Sequence, residues 1–173
     1  SEDYVSHSKT TKGFINFWYR QVQQLNLSLK FKAIKSHAPR GTWLDYGAGA
    51  GDYMKYIRSR DLAIEGFEPS EAARKTAQDN GVILKETSHL SETPDNSVAC
   101  ISLWHVLEHI PNFTEVIQDL GKLVKQDGIL VIAVPNYLSL DGQKYAENWA
   151  AYDVPRHLWH FTEKNIKSLA NQI

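Results

Sequence analysis

The chain has 173 residues, enough for one domain with a real hydrophobic core. At 42% hydrophobic and 23% charged it has the make-up of a soluble globular protein, which excludes a disordered or fibrous one. The formal net charge of −1 excludes a global field that would recruit nucleic acid or an anionic membrane, so neither is expected as a partner.

Lys30, Lys32 and Lys35 read as one solvated helix face. The single cysteine, Cys100, lies in an apolar run; it allows no disulfide within the chain and points to a reducing compartment. No apolar stretch reaches the length of a membrane span, and the acidic start Ser1-Glu2-Asp3-Tyr4 lacks the apolar core of a signal peptide. A cytoplasmic location is therefore expected. The oligomeric state is not readable.

Residues 1–41 form an N-terminal helical cap in this reading. Phe14, Phe17, Trp18 and Val22, then Leu25, Leu29 and Phe31 to Ile34, recur at helical spacing. Two helices are predicted, broken near Asn26-Leu27-Ser28 and ended by Pro39-Arg40-Gly41. From Thr42 strands and helices alternate. Trp43 to Tyr46 is a strand leading into a glycine cluster, Asp52 to Arg60 a helix, and Leu62 to Phe67 a second strand. Ser70 caps a helix that stops at Asn80-Gly81, and Val82-Ile83-Leu84 is a third strand. Val98 to Trp104 is a fourth. Val116, Ile117, Leu120, Leu123 and Val124 form the buried stripe of a helix from Thr114 to Gly128. Ile129 to Val134 reads as a central strand covered on both faces. This alternation predicts an α/β fold with a parallel sheet and right-handed crossovers.

The cluster Asp45-Tyr46-Gly47-Ala48-Gly49-Ala50-Gly51-Asp52 lies between the first strand and its helix, where doubly wound folds bind nucleotides. A dinucleotide fingerprint needs its third glycine at position 52; Asp52 stands there and would repel a pyrophosphate. Asp45 suits a ligand with a cationic end. Glu68 closes the second strand 21 positions after Gly47, placed to accept from both hydroxyls of a ribose.

With these residues in place, the chain resembles the class I S-adenosylmethionine-dependent methyltransferases, which have a Rossmann-like doubly wound parallel sheet with helices on both faces. Asp45, Gly47, Gly49 and Gly51 match the acid-x-Gly-x-Gly-x-Gly motif of that family, and Glu68 its ribose-binding acid. The run Ser102 to Asn112 is similar to the segment after strand four in the ubiquinone-biosynthesis-type and related small-molecule enzymes. Val134-Pro135-Asn136 and Tyr152 to Phe161 resemble one broad branch of the superfamily. The likeness covers residues 42–173, taken as the cofactor-binding domain, plus a Tyr4–His7 segment similar to the family's N-terminal lead-in.

The resemblance implies a cofactor site made of Asp45, Gly47, Ala48, Gly49, Gly51, Asp52, Glu68 and Pro69, with Leu103 and Trp104 at the carboxyl end of strand four. It also implies Thr87 and Ser88 on the adenine side, following Glu86. Departures are Val98-Ala99, where the family often has Phe-Asp, and an end at Ile173, where members continue into a helix and an antiparallel hairpin. On that comparison the domain is expected to be truncated, without its C-terminal hairpin.

His105, Glu108 and His109 spell His-x-x-Glu-His, a zinc-protease signature that requires a continuous helix. Here it starts directly off a strand, Pro111 follows, and no third ligand is evident, so no metal is expected. His105 is the candidate general base. His109 reads first as a loop hydrogen bond, with acceptor binding as the alternative. Arg156, His157 and His160, interleaved with Trp149, Tyr152, Trp159 and Phe161, line either an acceptor pocket or a packing cluster under a lid. Tyr4, His7, His109, Arg156 and His157 are the candidate acceptor contacts. The expected activity is in-line methyl transfer to a small-molecule acceptor, releasing S-adenosylhomocysteine. The alternatives are a non-catalytic cofactor-binding domain and, against the glycine spacing, a nicotinamide-dependent oxidoreductase.

Overall fold

The computed structural model describes the backbone of residues 3–171 and the side chains from residue 18 to 171. The chain divides into two compact units, Ser1–His37 and Ala38–Ile173. The first contains one helix, α1 (Asp3–Lys35). The predicted break at Asn26-Leu27-Ser28 is absent. Asn and Ser each cost a helix only about 0.5 kcal/mol relative to Ala, and neither glycine nor proline stands there to interrupt it.

In the second unit the strands are β1 (Trp43–Tyr46), β2 (Ile64–Phe67), β3 (Val98–Trp104) and β4 (Val124–Ala133). They form one parallel sheet in the order β2-β1-β3-β4. The helices are α2 (Asp52–Arg58), α3 (Glu71–Asp79), α4 (Phe113–Leu123), α5 (Leu140–Tyr145) and α6 (Glu163–Ala170). From β1 the chain crosses outward to β2, then returns past β1 to β3 and continues to β4. Right-handed crossovers in opposite directions place helices on both faces. The order reverses between β1 and β3, so a crevice opens at their carboxyl ends. No helix among the described residues is long and apolar enough to cross a membrane.

Side chains alternate across each strand. Leu44, Ile101 and Leu103 join Ile117, Leu120 and Leu123 of α4 in one core cluster. On the other face, α2 buries Tyr53, Met54 and Ile57.

Two strand expectations change. Val82-Ile83-Leu84 is not a strand; only Lys85 bridges, to Phe67. Val82 is buried whereas Ile83 is 77% exposed, so the segment packs one side chain and has no second face to cover. The helix that was to run to Gly128 ends at Leu123, and Val124 already pairs with Val98. An irregularity follows before Cys100 pairs with Ile129. β4 is the last strand in the sheet order and only partly buried, not a central strand covered on both faces.

Candidate functional site

Gly47, Gly49 and Gly51 all adopt left-handed backbone, at φ 76°, 55° and 78°. The N–H groups of Gly47 and Ala48 donate to the Phe67 carbonyl at 2.8 and 3.0 Å, which turns the chain sharply off β1. A Cβ on Gly47 would run into Val106, and one on Gly51 would lie 2.8 Å from Val82 Cγ1. Two of the three glycines thus serve close packing as well as the turn.

Glu68, directly after β2, locks this loop. Its Oε2 accepts the Gly49 N–H at 2.9 Å and its Oε1 accepts the Ser70 N–H at 2.9 Å. Arg74 Nη1 donates to the Glu68 and Pro69 carbonyls at 2.7 and 2.8 Å. A carboxylate oxygen has two lone pairs, so each retains capacity for an outside donor.

Above this floor lies a cavity of ≈ 490 Å³, within the range of small-molecule sites. Tyr46, Gly47, Glu68, Pro69 and Thr87 form one wall; His105, Val106, His109, Ile110, Pro111, Asn112 and Val116 form the other. A neighbouring hollow of ≈ 610 Å³ shares Tyr46, Thr87 and Val116, and Ser88 and Glu86 line that one. Burial pushes the Tyr46 hydroxyl pKa up, and the Glu68 charge adds to it.

Several predicted residues stand outside the cavity. Ala48, Gly49 and Gly51 shape the loop, and Asp52 is exposed in the first turn of α2. Asp45 is turned into the sheet: it is 4% exposed and accepts the Ser102 hydroxyl at 2.8 Å. The strand continues past Asp45 to Tyr46, and the Asp45–Ser102 hydrogen bond ties β1 to β3. Leu103 is fully buried in the core, and Trp104 packs edge-on against Tyr53 with ring centroids 5.7 Å apart. Both belong to the sheet, whereas the cavity wall begins one residue later, at His105.

His105 has left-handed backbone (φ 57°), a strained conformation for a non-glycine residue. Its side chain is 60% exposed, with Nδ1 3.5 Å from Glu108 Oε1. Leu107–His109 is a single 3-10 turn, so the continuous helix of a zinc protease is absent. His109 Nδ1 donates to the Arg156 carbonyl at 2.9 Å, the loop hydrogen bond considered for it. His157 is brought against His109, with ring centroids 4.7 Å apart. The Arg156 guanidinium is not in the cavity; it pairs with Asp153 at 2.6 and 3.0 Å. Tyr4 and His7 lie outside the residues whose side chains are described.

Sequence reasoning missed Tyr46, Val106 and the Ile110–Asn112 wall. Tyr46 was signalled by its place between the strand and Gly47. Val106, Ile110 and Pro111 are apolar and Asn112 is a common loop residue, so this wall becomes visible only once the turn after β3 is folded.

The sequence matches the family described as methyltransferase domain over residues 18–173. Among curated proteins, a ubiquinone biosynthesis O-methyltransferase of Actinobacillus pleuropneumoniae is 30% identical over 106 residues, covering 54% of this chain and 45% of that protein. The chain thus spans about half the length of the curated relatives it matches. Among solved structures, a SAM-dependent methyltransferase of Archaeoglobus fulgidus superposes with a TM-score of 0.72 at 20% identity, over 86% of this chain and 67% of that one. A protein of Thermotoga maritima, described as a SAM-dependent methyltransferase and possible histamine N-methyltransferase, gives 0.69 at 19% identity, over 92% and 76%. Those structures establish the Rossmann-like fold, and by the family match over nine-tenths of its length the chain belongs to the methyltransferase domain family.

Proposed function

We propose that the chain binds S-adenosylmethionine in the cavity beyond β1 and β3 and transfers its methyl group to a small-molecule acceptor. The observation that carries this is the Glu68 clamp: one buried carboxylate fixes the glycine loop at Gly49 and still faces the cavity. A cavity with one carboxylate wall and an apolar wall of Val106, Ile110, Pro111 and Val116 fits a ligand with a hydroxylated sugar and a flat apolar ring.

Gly47, Glu68, Pro69 and Thr87 would hold the cofactor, on a loop whose shape Ala48, Gly49 and Gly51 set. Asp45 acts from within the sheet by fixing the end of β1, and Asp52 keeps the start of α2 unattractive to phosphate. When bound, the cofactor supplies a methyl group already activated by a sulfonium. The protein's task is then to orient the acceptor and exclude water. His105, at the cavity mouth with Glu108 behind it, is placed to take a proton from that acceptor. The names of the curated relatives favour an oxygen acceptor, and the single buried cysteine favours a reducing, cytoplasmic setting.

Calorimetric titration with S-adenosylhomocysteine tests the reading. The wild-type protein should bind, and Glu68→Gln should bind at least about tenfold more weakly, or ~1.4 kcal/mol. Wild-type protein that releases no heat and shows no ligand-dependent thermal shift would rule out the site.

A further inference from the structure

Glu108 has 0% exposure, and among the described residues neither of its carboxylate oxygens has a hydrogen-bond partner. Asp45 and Glu68, the other buried acids, each accept O–H or N–H donors. A carboxylate taken out of water is tolerated when it is paired or coordinates a metal. Among the described residues, the one ion-pair partner of Glu108 is His105 Nδ1 at 3.5 Å, too far for a hydrogen bond and carried by a mostly exposed ring.

Two further side chains converge on Glu108. A ligand nitrogen of His109, a ligand nitrogen of His157 and a Glu108 oxygen all lie within 4.8 Å of one another. His109 Nδ1 donates to the Arg156 carbonyl at 2.9 Å, and His157 Nδ1 donates to the Ala151 carbonyl at 2.8 Å. A carbonyl can only accept, so both Nδ1 atoms are protonated, and each neutral ring keeps its lone pair on Nε2. That is the arrangement in which metal-bound histidines are oriented, with the second nitrogen anchored to a backbone oxygen. Asp153, the other acid beside His157, has its Oδ2 3.8 Å from Nε2 and is engaged by Arg156. The loop carrying His157 is itself docked, since the Leu158 N–H donates to the Glu108 carbonyl at 2.8 Å.

We propose that Glu108, His109 and His157 form a binding site for one divalent transition-metal ion, with zinc the ion best suited to the donor set. Two imidazoles and one carboxylate match zinc better than magnesium or calcium, which favour oxygen alone. At bond lengths of about 2.0–2.1 Å a tetrahedral ion holds its donors about 3.4 Å apart, a spacing that these three residues, with ligand atoms within 4.8 Å of one another, approach. The third ligand, absent from the local His-x-x-Glu-His pattern, arrives from 48 residues downstream of His109. His109 also lines the cavity, so the ion lies beside whatever occupies it. The site stands whether or not the chain transfers methyl groups.

The test is titration of EDTA-treated, dialysed full chain with Zn²⁺, and with Co²⁺ as a visible-absorption probe. One ion per chain is expected. His157→Ala and Glu108→Gln should lower Zn²⁺ affinity on the order of a hundredfold or more. His89→Ala, which alters a surface histidine elsewhere, should leave it unchanged. Circular dichroism checks that each variant is folded. Should His157→Ala fail to fold, wild-type protein with Co²⁺ decides: paramagnetically shifted signals from two imidazole N–H protons support the site, and their absence overturns it. Affinity no tighter than millimolar, or equal affinity in folded His157→Ala, also overturns it.

Discussion

Single residues here do work that their chemistry alone would not assign. Asp45, read as a ligand contact, accepts the Ser102 hydroxyl inside the sheet, and its charge is felt by its neighbours. Burial, with Asp45 adding to it, pushes the Cys100 thiol up to about 12. At pH 8 only about one thiol in ten thousand is then thiolate, so a disulfide reagent should modify Cys100 no faster than the protein unfolds. The sign for stability follows. The native state keeps this proton while the unfolded thiol loses it near pH 8.5, so stability is full below that pH. Above it stability falls by roughly 1.4 kcal/mol per unit. Urea midpoints from pH 8 to 10 should show this slope in the wild type and a shallower one in Cys100→Ala.

At the scale of elements, the strand–helix alternation was legible because its periodicity is local. β1, β2, β3, α2 and α3 all lie where their residue patterns place them, within a few positions, and α4 starts where its pattern does. What was not legible depended on partners. Val82-Ile83-Leu84 has the composition of a strand, yet Val82 is spent on packing against Gly51, and the ladder shrinks to one bridge at Lys85. Val124 fits the stripe of α4 as well as it fits a strand, and pairing with Val98 decides the matter. The same holds for the site. Glu68 and the glycines announced themselves, whereas the contact between His109 and His157 exists only after the segment beyond β4 folds back. The Gly51–Val82 contact gives a test of this level. Gly51→Ala meets both a left-handed φ and the Val82 side chain, so it should destabilise by more than ~1 kcal/mol in a chemical denaturation curve. Adding Val82→Ala should recover only the steric part of that loss, because the backbone strain persists.

For the whole molecule, function and architecture share one origin: the reversal of strand order between β1 and β3 creates the crevice, and every wall of the cavity hangs from it. The walls are anchored differently, however. One side rests on the sheet through the Glu68 clamp and the Phe67 carbonyl. The other, Val106 to Asn112, is a turn held in place by the folded-back segment, including the Trp159 Nε1 bond to the Ile110 carbonyl at 2.8 Å. Variants there should separate recognition from folding. Ile110→Ala and Asn112→Ala are expected to shift ligand affinity severalfold while moving stability by less than about 1.5 kcal/mol. An equal collapse of both would show that the turn is part of the core.

The Glu68 clamp has a consequence for how such a molecule can diversify. Because a buried acid staples the glycine loop at Gly49, that half of the pocket can change little without loosening the loop. Novelty can then be written only on the opposite bank. A lineage built on this plan can change what it recognises by editing a seven-residue turn, without reopening the question of how the sheet folds.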